Sequence, residues 1–75
     1  MREHDRVVLT ADLPDHGLQA GDVGTIVHTY TAEPAYEVEF AALDGATVAV
    51  LTVPAEKLRD VGHDELTHAR QIGAD

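Results

Sequence analysis

The sequence predicts an all-β domain of five short strands, and three observations carry that expectation. The clearest is Ala35-Tyr36-Glu37-Val38-Glu39-Phe40-Ala41, a period-2 stretch with Tyr36, Val38 and Phe40 on one face and Glu37 and Glu39 on the other. Next comes Asp44-Gly45, a preferred hairpin-turn dipeptide, followed over residues 47–53 by an almost purely β-branched and apolar run. The third is residues 11–22, where two glycines, a proline and three aspartates exclude a helix.

The elements follow in chain order. Arg6-Val7-Val8-Leu9-Thr10 is short and β-branched and reads as the first strand. Residues 11–22 then form a compact loop that Leu13 and Leu18 anchor to the core. Residues 23–30 resume strand chemistry, with Gly21 and Gly24 bracketing a tight turn or bulge at their start. Thr31-Ala32-Glu33-Pro34 makes the next turn and leads into the alternating strand. Pro54-Ala55-Glu56 breaks the fourth strand as one 3₁₀ turn, and Lys57-Leu58-Arg59-Asp60-Val61 closes with a last short strand. Residues 1–61 are thus one small domain, and residues 62–75 a tail that is either a short helix or disordered. In the helical case Asp64 is the N-cap, and Leu66, Ala69 and Ile72 make only a weak apolar stripe, so the tail either frays or places Leu66 and Ile72 back on the domain or on a partner.

With Asp44 and Gly45 as the two central turn residues, facing hairpin partners sum to 89. Phe40 then opposes Ala49, Val38 opposes Leu51 and Tyr36 opposes Val53, all toward the core. Glu39 opposes Val50, Glu37 opposes Thr52 and Ala41 opposes Val48 on the outer face. Val48 and Val50 therefore stand exposed beside the two glutamates, a plausible rim for a contact patch.

Charge narrows the function. The 75 residues hold five Lys+Arg and fourteen Asp+Glu, a formal net charge of −9. Between Val7 and Glu56 there is no Lys or Arg, while Asp12, Asp15, Asp22, Glu33, Glu37, Glu39, Asp44 and Glu56 all fall there. Such a surface disfavours direct nucleic-acid binding, which needs Lys and Arg. Arg6, Lys57 and Arg59 on neighbouring first and last strands would make only a small basic patch. The longest apolar run, residues 48–53, falls far short of the roughly 20 residues that span a bilayer. No signal-type apolar region follows Met1-Arg2-Glu3-His4-Asp5-Arg6, so a soluble cytoplasmic protein without membrane attachment is expected.

Catalysis lacks parts. There is no Cys and no Ser, and the Glu37 and Glu39 carboxylates are placed on a solvated face. The sequence therefore predicts no enzyme and no cofactor. His4-Asp5, Asp15-His16 and His63-Asp64 repeat a His/Asp adjacency, and Asp64 and His68 would share a helix face. His63 and His68 would diverge by about 140° on a helix, so a complete metal site would need the tail to approach His16 or His4, and none is predicted. Tyr30, Tyr36 and Phe40 are too few aromatics for a proline-rich peptide groove.

Five strands, a long first loop, short later hairpins and a 3₁₀ turn before the last strand spell a small five-stranded SH3-like barrel. The residues Asp5-Arg6-Val7-Val8-Leu9, Asp12-Leu13-Pro14, Gly17-Leu18-Gln19-Ala20-Gly21-Asp22-Val23-Gly24-Thr25-Ile26-Val27 and Tyr36-Glu37-Val38-Glu39-Phe40 carry a resemblance. Over residues 3–61 they resemble a small, uncharacterised bacterial family, a domain of unknown function with an expected SH3-like barrel. Gly-Asp-Val-Gly-Thr-Ile-Val is also similar to the first motif of KOW-type and nitrile hydratase β-subunit barrels. The family resemblance implies a stand-alone protein, at times encoded near toxins, and hence an antitoxin-like role without catalytic residues. The expected function is a small acidic protein-binding module, with Asp15, His16, Glu37, Glu39, Val48 and Val50 contacting a partner of basic surface. A homo-oligomeric structural domain and an accessory domain of a metalloenzyme are the alternatives.

Overall fold

Five antiparallel strands are laid out in a single sheet in the computed structural model, which describes residues 1–32 and 34–73. Strands β1 (Arg6–Leu9), β2 (Val23–Thr29), β3 (Ala35–Ala41), β4 (Thr47–Pro54) and β5 (Leu58–Asp60) stand in the order β4-β3-β2-β1-β5. The all-β class and the expected five strands are present. Closure into a barrel is not: among the described residues no ladder joins β4 to β5. The 3₁₀ turn Ala55–Lys57 carries the chain from β4 to the far side of β1, so β4 and β5 become the two edges. Glu33 of the expected second turn and the last two tail residues, 74 and 75, lie outside the described residues.

Alternation builds the core. Val7, Leu9, Leu18, Ile26, Val38, Phe40, Val53 and Leu58 form one buried cluster, with Leu13, Tyr36 and Leu51 packed against it. Each large side chain so buried contributes about 1.5–3 kcal/mol relative to exposure. The loop between β1 and β2 is pinned as its leucines predict: Leu13 and Leu18 form an isolated bridge, and the Leu13 N–H donates to the Leu18 carbonyl at 2.9 Å. Asp12 accepts from the Ala20 N–H at 2.8 Å and Asp22 from the Gln19 N–H at 2.9 Å, which folds the loop against itself.

The β3–β4 register keeps the expected sum from Ala35↔Pro54 to Phe40↔Ala49. The turn that sets it differs. The Gly45 N–H donates to the Ala42 carbonyl at 2.9 Å and the Ala42 N–H to the Ala46 carbonyl at 2.8 Å, so Leu43 and Asp44 are the turn centre. Gly45 follows at φ +96°, the left-handed residue of a three-residue hairpin loop. That loop pairs Ala41 with Thr47 rather than Val48, and a bulge then restores the register at Phe40↔Ala49.

Gly24 does not serve the turn before β2; it lies inside the strand, buried. A Cβ placed there would sit 2.5 Å from Val38 Cγ1 and 2.9 Å from Phe40 Cε1. The missing side chain is the space those two core residues fill. Gly24→Ala is expected to destabilise the fold by about 1–3 kcal/mol. In a domain of this size each kcal/mol lowers the thermal midpoint by about 4–8 °C. Melting followed by circular dichroism checks this, and an unchanged midpoint would show that the close approach is not a constraint.

Candidate protein-binding face

The outer face of β2, β3 and β4 carries the two glutamates that the alternation turns away from the core. Glu37 has His28 across from it on β2 and Thr52 on β4; Glu39 has Thr25 and Val50. Both carboxylates accept hydrogen bonds from hydroxyls of the edge strand. Thr52 Oγ1 donates to Glu37 Oε1 at 3.0 Å, and Thr47 Oγ1 donates to Glu39 Oε2 at 2.6 Å. The Tyr30 hydroxyl adds a longer bond to Glu37 Oε2 at 3.3 Å, and its ring meets His28 edge to face with centroids 4.9 Å apart. Val50, 51% exposed, lies between the two threonines on β4. A half-buried acidic row is thus held upright by neutral donors and leans over β4.

The predicted site residues do not all converge. Glu37, Glu39 and Val50 share this face. Val48 does not: its bulge turns it into a groove of about 640 Å³ that it lines with Val8, Leu18 and Phe40. Asp15 and His16 sit on the exposed 3₁₀ turn Pro14–His16 at the tip of the first loop, with no hydrogen bond to the acidic row among the described residues. Sequence reasoning missed Thr47, Tyr30 and His28 as parts of the face. Thr52 was readable from the hairpin register, whereas the bulges at Val27 and Val48 hid the others.

The tail roofs the groove on the outer face of β1. Its described residues form no helix; they run back over the domain as irregular chain tied by two ion pairs. Arg59 grips Glu65 with two bonds of 2.7 Å, and the Gly62 N–H donates to the same carboxylate at 2.6 Å. Arg70 spans the sequence to reach Asp22, with Nε donating to Oδ1 at 2.8 Å, and also donates to the Gly17 carbonyl at 3.0 Å. Leu66 is 95% exposed and takes no part in holding the tail, whereas Ile72 is more than half covered and lines the groove. Without a helix, the shared face imagined for Asp64 and His68 does not form. Among the described residues no three His, Asp or Glu side chains gather as a metal site would need.

Burial alone would raise the Asp22 carboxyl, but the Arg70 guanidinium and the Gln19 N–H outweigh it and hold it below the usual range. Glu65 is lowered further, to about 2, by the Arg59 guanidinium first and the Gly62 N–H second.

These features define a class: a small, acidic, all-β domain of five strands. Over residues 3–60 the chain matches the model of the family described as "Domain of unknown function (DUF4926)", and it belongs to that family. The match ends at β5, so the tail lies beyond it. No curated protein matches the chain. No solved structure matches it either.

A carboxyl with a depressed folded-state value contributes stability above its unfolded value that is lost as pH falls through the folded one. The Arg59–Glu65 clamp is therefore complete above about pH 4.5 and should loosen only as pH falls toward 2. Carbon-13 titration of the Glu65 carboxyl should give a midpoint near 2, and an ordinary glutamate midpoint would refute the clamp. Arg70→Ala should release residues 66–73, read as a drop in their backbone ¹H–¹⁵N NOE, while the sheet amides keep theirs; an equally rigid tail would refute the second clamp.

Proposed function

We propose that this protein is a non-catalytic binding module whose β2–β3–β4 face docks on a basic protein surface, in the manner of an antitoxin or an inhibitor of a basic protein. The observation that carries this reading is the acidic row itself. Among the described residues, Glu37 and Glu39 meet only hydroxyl donors, whereas Asp22 and Glu65 are paired with arginines. An acidic face without internal counter-charge attracts cations and raises the encounter rate with a basic partner. The threonine and tyrosine hydroxyls hold the carboxylates in place before a partner arrives, which lowers the ordering cost of binding. Val50, on the edge strand beside Glu39, supplies exposed apolar area to the patch.

The test is capture from an extract of the native host at low salt, with wild-type chain and the double variant Glu37→Lys/Glu39→Lys as paired baits. A protein retained by wild type, released as ionic strength rises and absent from the double variant is the expected result. Equal capture by both baits would overturn the reading.

A further inference from the structure

The two edges of the sheet are not alike. Edge β5 is three residues long, carries Arg59 and Asp60, and is followed at once by the clamped tail. Those are the usual protections of an exposed edge. Edge β4 is eight residues long and reads Thr-Val-Ala-Val-Leu-Thr-Val-Pro, without a single charge.

Its hydrogen-bond phase can be read from the end of the ladder. The Ala55 N–H donates to the Pro34 carbonyl at 2.7 Å, so that pair is a hydrogen-bonded one. Hydrogen-bonded and non-bonded pairs alternate in an antiparallel ladder. With the register constant from Ala35↔Pro54 to Phe40↔Ala49, Val53, Leu51 and Ala49 bond inward to β3, while Val50 and Thr52 turn their N–H and carbonyl groups outward. Among the described residues no other segment takes those groups. The bulge at Val48 closes the window on one side, and Pro54, without an N–H, closes it on the other.

The same two residues carry their side chains on the acidic face. A strand added antiparallel at this edge would place its residues opposite Val50 and Thr52 with side chains on that face too. Glu37 and Glu39 are on β3, two strand spacings or about 9.6 Å from the added strand, a gap that a long basic side chain and a glutamate can span together. Their carboxylates already lean over β4 toward the edge through Thr52 and Thr47. A lysine or arginine stem could lie along exposed Val50 with its charge at a carboxylate.

We infer that β4 is a strand-addition site for an extended, basic segment of a partner protein, with cations at alternate positions paired to Glu37 and Glu39. The inference rests on the proposed function and specifies how the partner is held. A second copy of this chain fits poorly, because edge-to-edge pairing would bring two acidic rows together on molecules of net charge −9.

The experiment uses the full chain and a capped peptide, Thr-Lys-Val-Lys-Val-Lys-Thr, followed by ¹⁵N amide shifts and calorimetry. The expected result is shifts at Val50 and Thr52, slowed exchange of those two amides, and binding about tenfold or more weaker when the peptide lysines are replaced by glutamates. A peptide N-methylated at its lysines should fail to bind, and one N-methylated at its valines should bind as before, since only the lysine amides face β4 in antiparallel addition. Equal affinity for the two methylated peptides would overturn strand addition, and with charge dependence retained it would leave the acidic docking face standing. Shifts confined to the groove at Val8 and Val48, or a β4-mediated dimer seen by sedimentation without peptide, would also overturn it.

Discussion

The close approach at Gly24 is the constraint on which the rest of the sheet depends. A strand this deep in the sheet has to let Val38 Cγ1 and Phe40 Cε1 occupy the volume where its own side chain would stand. That fixes β3 against β2, and with it the phase of the alternation along β3. Once Val38 and Phe40 point into the core, Glu37 and Glu39 must point out. A one-residue slip would bury both carboxylates and expose the two largest core contributors of β3. The acidic face is therefore a consequence of core packing.

Two bulges then decide what stands beside the acids. The one at Val27 shifts β2 so that His28, rather than Val27, lies across from Glu37, and Tyr30 comes within reach of the same carboxylate. The one at Val48 removes a valine from the outer face and pairs Thr47 with Ala41, from where its hydroxyl reaches Glu39. Each bulge thus exchanges an apolar neighbour for a polar one. The result is a row of carboxylates already oriented by hydroxyls, which differs from mobile glutamates on a flat strand.

Much of this was legible in the chain. Alternation over residues 35–41 gave β3 and its two faces, and the pairing sum gave most of the β3–β4 register. The sum succeeded although its premise about the turn was off by one residue. The left-handed Gly45 after a Leu43-Asp44 turn shifts the pairing one way, and the Val48 bulge shifts it back. Such offsetting irregularities leave no mark on a binary pattern, so Val48 was placed on the wrong face while Val50 was placed correctly. Asp15 and His16 were grouped with the glutamates as one surface, and the sequence carries no information about the distance between a loop tip and a strand face. How the tail is held was hidden for a different reason. Its fixing contacts, Arg70 to Asp22 and Gly17, cross about two thirds of the chain and depend on a folded loop that no local window contains.

The tail contacts also change what the net charge of −9 means. Two of the five basic residues, Arg59 and Arg70, are engaged with Glu65 and Asp22 on the β1–β5 side of the molecule. Internal neutralisation is thereby concentrated on the groove side, where the tail needs anchoring. Among the described residues the β3–β4 side receives none of it, and Glu37 and Glu39 accept there from hydroxyl donors that leave their charge intact. An uneven distribution of this kind gives the domain an electrostatic polarity that the overall sum conceals. On the proposed reading, a basic surface would be oriented toward β3 and β4 before contact, and the long uncharged edge β4 lies on that side. The acidic row and the outward backbone groups of Val50 and Thr52 lie on the same side of the sheet, so the proposed docking face and the proposed strand-addition edge would form one surface.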